Sequence, residues 1–159
     1  MFLDSYSGLL VLLLICIQNI PGQISITFDA WTSHSYDPYL AITAHYIDAP
    51  LEKPNNWQLK VRTLAFTSIE GDHGGANLAG VIVRVVQRYG LSGKLGWVTS
   101  DNATTNDRAM RILQQTLNNT VEGHSWLAQE HCVRYVCVYS YEWKLMIFKM
   151  HGAFPPLGC

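Results

Sequence analysis

The sequence predicts an α/β domain with the element order βββαβα. Three observations carry this. Three consecutive stretches alternate apolar and polar residues at the strand period. The stretch after them switches to the helical period. A short apolar run then separates it from a second helical stretch. A length of 159 residues suits one domain and hardly two. A composition 48% apolar and 14% charged excludes a disordered chain.

The first strand lies in "ISITFDAW", where Ile24, Ile26 and Phe28 alternate with Ser25, Thr27 and Asp29. "SHSYDP" turns the chain. The second strand, "YLAITAHYID" (Tyr39 to Asp48), is rich in aromatic and β-branched residues, which fit a pleated surface. "APLEKPNN" is a loop with two prolines, and "WQLKVRTLAFTSI" (Trp57 to Ile69) alternates again. Short connections between these three strands make an antiparallel meander. "EGDHGG" then breaks the pattern.

From Ala76 the residues Leu78, Val81, Ile82, Val85 and Tyr89 form one helical stripe, and Gly90 supplies a left-handed C-cap with Leu91 as its apolar follower. "KLGWVTSD" (Lys94 to Asp101) is a short fourth strand. A right-handed crossover follows if it lies parallel to the first. "ATTNDRAMRILQQTLNN" is a second helix with Met110, Leu113 and Leu117 on its apolar face, and Thr104 with Asp107 resembles a capping box. From Gly123 onward periodicity assigns neither helix nor strand.

Eleven basic residues face twelve acidic ones, so a net charge of -1 gives no general attraction to nucleic acid. Arg84, Arg88, Lys94, Arg108 and Arg111 are the basic grouping in the middle of the chain and read as a solvated helix face. The four cysteines, Cys16, Cys132, Cys137 and Cys159, form no CxxC pair, so no zinc site is expected. They read as reduced, partly buried thiols.

Two strands end in aspartate followed by small polar residues: Asp29 in "FDAWTS" and Asp101 in "TSDNATTND". In an open α/β sheet, ligands gather at the carboxyl ends of neighbouring strands. If the first and fourth strands are neighbours, the two carboxylates meet at such an edge. They would repel there unless a cation sat between them, and oxygen-rich sites of this type suit Mg²⁺ or Mn²⁺.

"ISITFDAWTSHSYDPYLAITAHYID", "LAFTSIEGDHGGANLAGVI" and "LGWVTSDNATTNDRAMRIL" together resemble transposases of the hAT superfamily, particularly fungal copies. The resemblance runs from about Asn19 to about Arg134 and rests on three blocks in the same order. It implies an RNase H-like fold, of which βββαβα is the opening portion of a mixed five-stranded sheet, incomplete at the C-terminus. It implies an Asp, Asp, Glu catalytic triad. Asp29 matches the first position and Asp101 the second. His73 in "GDHGG" matches a histidine of the same block. The implied chemistry is Mg²⁺-dependent DNA cleavage and strand transfer, with transposon DNA as partner and the nucleus as location. His73, Arg108 and Arg111 are the candidate DNA contacts.

The sequence also departs from that family. No residue matches the third carboxylate, and neither Glu130 nor Glu142 fits its motif. A family Cys-x-x-His falls where this chain has Tyr135 and Val138. A BED-type zinc finger and a C-terminal dimerisation region have no counterpart in these residues. The expected organisation is an apolar leader over 1–22, a partial RNase H-like domain over 23–134 and an unrelated or decayed tail over 135–159. The expected product is an inactive transposase fragment. Its alternatives are a residual nuclease and a small secreted protein using the fold as scaffold.

The leader "GLLVLLLICI" (Gly8 to Ile17) is shorter than the roughly twenty residues a membrane span needs. It has the length of a signal-peptide core, yet Asp4 precedes it in place of a basic residue and no small-residue cleavage site follows. A buried element and a gene-model artefact are the other two readings. If the chain were secreted, Asn102 and Asn118 would be glycosylation acceptors.

Overall fold

The computed structural model describes residues 13–49, 52–69, 74–123, 125–138 and 145–150. Three strands open the domain: β1 (Ile24–Thr32), β2 (Pro38–Asp48) and β3 (Gln58–Ser68). They form the expected antiparallel meander, with Phe28 opposite Ile42 and Ile42 opposite Ala65. The β1–β2 turn closes with the Ser33 N–H donating to the Asp37 carbonyl at 2.9 Å and the Asp37 N–H donating to Ser33 Oγ at 3.1 Å. Tyr36 takes a left-handed φ of 65° within it.

The alternation in sequence becomes a two-faced sheet. Ile24, Ile26 and Phe28 of β1 and Leu40, Ile42 and Ala44 of β2 are buried, while the residues between them are half-buried or exposed. The long helix α2 (Gly75–Arg88) buries Leu78, Val81, Ile82 and Val85, the stripe read from the sequence. It ends as expected: Gly90 has φ 65°, its N–H donates to Gln87 O, and the Leu91 N–H donates to Val86 O. Tyr89 is buried, and its hydroxyl donates to the Leu64 carbonyl at 3.0 Å, which ties the helix end to β3.

Strand β4 (Leu95–Asp101) runs parallel to β1, as a crossover through α2 requires. Helix α3 (Thr104–Thr120) then packs against α2 and buries Ala109, Met110, Leu113 and Leu117. The close approach of the two helices depends on Gly75. A Cβ there would stand 2.5 Å from Thr105 O and 2.7 Å from Arg108 Cβ. The capping box expected at Thr104 is not formed. Ala103 occupies the N-cap with no side-chain cap bond, so Thr104 is already the first helical residue.

The C-terminal region, unassigned from periodicity, is a short helix α4 (Ala128–His131) followed by β5 (Cys132–Val138) and β6 (Leu145–Met150). The sheet order is β3-β2-β1-β4-β5-β6. Its first five strands make the expected mixed arrangement. The expected loss of the fifth strand is corrected: β5 pairs in parallel with β4, Val98 opposite Cys132 and Asp101 opposite Tyr135. β6 adds an antiparallel edge. Tyr135 and Val138, where the family resemblance breaks, both lie in β5, which runs through the boundary expected after Arg134.

The described part of the leader is docked on the domain by one buried residue, while Ile15, Cys16 and Gln18 are exposed. Residues 13–18 form a helix, α1, whose Ile17 is fully buried, with Leu13, Leu14 and Ile20 packed on the core. Lys94 holds its C-terminal end. Its Nζ donates to the carbonyls of Ile17, Gln18 and Ile20 at 3.3, 2.8 and 3.0 Å. A cation on the last carbonyls of a helix satisfies acceptors that lack partners within the helix and suits the helix dipole. Lys94 is therefore not part of a solvated helix face, whereas Arg84 and Arg88 are exposed on α2. No helix among the described residues is long and apolar enough to cross a membrane.

Candidate metal centre

Asp101 is the last residue of β4, whereas β1 continues past Asp29 to Thr32 in its pairing with β2. In the parallel β1–β4 ladder Thr27 stands opposite Thr99, so two residues further on Asp29 comes beside Asp101. Asp29 lies on the face opposite the buried row of Ile24, Ile26 and Phe28. It reaches the surface, but the sheet still strips part of its hydration. That desolvation, and then the like charge of Asp101, raise its carboxyl above the ordinary aspartate range, while a hydrogen bond from the Ala30 backbone pulls the other way. The strand register accounts for that repulsion, since it sets the two residues side by side.

Asp101 is held more firmly than Asp29. Its Oδ1 accepts from Asn106 Nδ2 at 2.6 Å and from the Ala103 N–H at 3.2 Å. Asn106 Nδ2 also donates to the Asp101 main-chain carbonyl at 3.2 Å. These bonds order the strand-to-helix turn in place of the expected capping box. A cavity of about 80 Å³ lies here, lined by Asp101, Ala103, Asn106, Ala30, Ile69 and Leu78.

Arg134 of β5 stands behind the turn. It forms an ion pair with Asp107 in the first turn of α3 and donates to Asn102 Oδ1 at 3.4 Å. Arg111 donates from Nε to the Asp107 carbonyl at 3.3 Å. Arg111, Arg134 and Asp107 share a cavity of about 310 Å³ with Met110, Ala128, Gln129 and Cys132. Burial pushes the Cys132 thiol up to about 12, which makes it unreactive.

The structure thus brings Asp29 and Asp101 together and places Arg108 and Arg111 exposed on α3. His73 and Glu142 lie outside the described residues. Glu130 is exposed on α4. Among the described residues no group of three or more His, Cys, Asp or Glu is placed to hold a metal ion. Two residues of this region went unnoticed in the sequence, Asn106 and Arg134. Asn106 had a legible signal: it falls one turn before Met110 on the apolar stripe of α3, a core position occupied by an amide. Arg134 had none, since its partners become visible only once β5 is seated beside β4.

By chemistry, oxygen donors of this kind suit a hard divalent cation: two carboxylates lie on adjacent strands, the charge of Asp101 is felt by Asp29, and Asp101 Oδ2 takes no hydrogen bond among the described residues.

Comparison with known families matches residues 27–138 to the ZBED1 RNase-like domain. A Zea mays protein named as an AC transposase is 28% identical over 104 residues, which cover 65% of this chain and 12% of that protein. A Talaromyces stipitatus protein named as the transcriptional regulator tpeD is 29% identical over 98 residues, 62% of this chain and 11% of its own length. The Arabidopsis thaliana zinc finger BED domain-containing protein DAYSLEEPER is 30% identical over 99 residues, 62% of this chain and 13% of its length. The chain thus spans between 11% and 13% of the length of these curated relatives.

Proposed function

We propose, from the premise that the chain belongs to the ZBED1 RNase-like domain family, that Asp29 and Asp101 are a two-carboxylate site for Mg²⁺ or Mn²⁺ in a hAT-type transposase domain. The observation that carries this reading is the register of adjacent parallel strands that sets Asp29 beside Asp101, where the charge of Asp101 raises the cost of ionising Asp29. The hAT-type resemblance itself is borne out by the family match and by the transposase relative.

A cation bound there supplies positive charge for a phosphodiester and favours deprotonation of an attacking hydroxyl. The chain's own contribution is positional. Asp101 is fixed by Asn106 and Ala103, and Asp29 stands beside it on the neighbouring strand. With two carboxylates and no third beside them among the described residues, the site binds metal weakly. The chain alone does not cut DNA.

DNA is the partner class this reading implies, and the nucleus its location. The transposase, the transcriptional regulator and the BED zinc-finger protein support both. Arg108 and Arg111, exposed on α3, are the contacts, and a net charge of -1 makes such binding weak and salt-sensitive. The secreted alternative finds no support in the geometry. The Asn118 amide is engaged on both sides of Trp126, donating to its carbonyl at 3.1 Å and accepting from its N–H at 2.9 Å.

The test is calorimetric titration of Mg²⁺ and Mn²⁺ into the chain and its Asp29→Asn and Asp101→Asn variants, with a plasmid-nicking assay on the same samples. Weak binding that both substitutions abolish, without nicking, is the expected result. Equal binding by all three proteins overturns the site. Mg²⁺-dependent nicking by the unaltered chain that disappears in Asp29→Asn overturns the inactivity and selects the nuclease reading.

A further inference from the structure

We propose that Asn106 is a positioning residue that presents the Asp101 carboxylate to the cation, an assignment that rests on the two-carboxylate reading above. Three observations converge on it. Asn106 is 5% exposed, and among the described residues it and Ser100 are the buried polar ones. It occupies the apolar stripe of α3 with Met110, Leu113 and Leu117, where a residue contributing only packing would be apolar. Its Nδ2 makes both of its bonds to one residue, Asp101, at 2.6 Å to Oδ1 and 3.2 Å to the main-chain carbonyl.

The two bonds divide the work. The bond to the main-chain carbonyl joins the end of β4 to the first turn of α3. The shorter bond, to a carboxylate oxygen, sets the rotation of the side chain. With Oδ1 occupied by Asn106 and by the Ala103 N–H, Oδ2 is the oxygen left for a cation. A buried amide in an apolar stripe is costly unless bonded, and here its donor is fully committed to Asp101. Outer-shell groups that orient a ligating carboxylate typically change metal affinity by about 10–100-fold when removed.

The proposal separates from a merely structural role because packing and orientation can be changed independently. Asn106→Leu keeps the branching and places an apolar side chain on an apolar stripe. It is expected to fold with little loss of thermal stability and to bind Mn²⁺ about 10–100-fold more weakly than the unaltered chain. Asn106→Ala serves as the second variant should leucine not be accommodated. In the metal-free protein, side-chain couplings should show one Asp101 χ1 rotamer in the unaltered chain and averaging in Asn106→Leu.

Wild-type Mn²⁺ affinity in a folded Asn106→Leu, with affinity lost in Asp101→Asn, overturns the positioning role and leaves the metal site standing. If the unaltered chain and Asp101→Asn do not differ in Mn²⁺ binding, the metal reading fails. The rotamer measurement then decides alone: averaging already present in the unaltered chain overturns the proposal, and a rotamer fixed only when Asn106 is present sustains the orientation of Asp101.

Discussion

The two faces of the meander follow opposite rules. On one, Ile26, Leu40, Ile42 and Ala44 are fully buried and join the core with α2 and α3. On the other, Trp31 is 38% exposed and Phe66 65%, and they cluster with Tyr39 at ring separations of 5.7 to 6.1 Å. Asp29 and the pair Thr27 and His45, joined at 3.1 Å, share that second face. The buried face supplies the stability. The open face carries the groups with chemistry and tolerates a carboxylate whose charge is disfavoured. The difference teaches that fold and site are written on alternate residues of the same strands, so each can be altered with little effect on the other.

The sharpest way to break that contrast is to cut the buried face. Ile42→Ala removes a fully buried side chain from the central meander strand and is expected to cost about 2–5 kcal/mol, read by urea denaturation. A loss under about 1 kcal/mol would show the two faces to be equivalent.

Lys94→Met tests how far the covered side extends. It keeps much of the stem's bulk but removes three donors from the α1 carbonyls, so about 1–3 kcal/mol should be lost. Amide exchange over residues 13–18 should accelerate more than over α2. Uniform acceleration would mean that α1 is not separately held.

On the open face, Phe66→Ala removes an exposed ring and its contacts with Trp31 and Tyr39. The expected cost is about 0.5–1.5 kcal/mol. A loss matching that of Ile42→Ala would indicate that something covers this face in solution.

Asp29→Asn is the smallest effect and has the opposite sign. The folded-state pKa of Asp29 is raised, so the native state holds more protons than the unfolded state and stability falls as pH climbs from 3.8 through the raised value. Removing the charge should raise the melting temperature slightly at neutral pH. That advantage should vanish below pH 3.8, where both states are protonated. A variant less stable than the original at pH 7 would show that Asp29 is stabilised by a partner instead.

The elements that read correctly from sequence are those whose own residues dictate them. The alternation around Ile26 and Phe28, the stripe from Leu78 to Val85 and the Gly90 cap are local patterns with local causes. What escaped depends on distant neighbours. "CVRYVCV" becomes a strand because β4 lies beside it in parallel, a pairing that its own residues do not dictate. The leader reads as a bare apolar block until Lys94, more than seventy residues away, is seen to cap it. Thr104 and Asp107 have the spacing of a capping box, but Asp101 and Asn106 already order that turn, and Asp107 pairs with Arg134. Of the site, the two aspartates were legible because each closes an apolar run and is followed by small polar residues. Their support was legible only as a polar residue in an apolar stripe.

The most direct measurement is paramagnetic broadening of backbone amide signals as Mn²⁺ is added. The expected result is signal loss centred on residues 28–30 and 100–102 and fading with distance from them, absent in Asp29→Asn and in Asp101→Asn. Broadening centred elsewhere, or the same broadening in both variants, would contradict a cation site shared by the two aspartates.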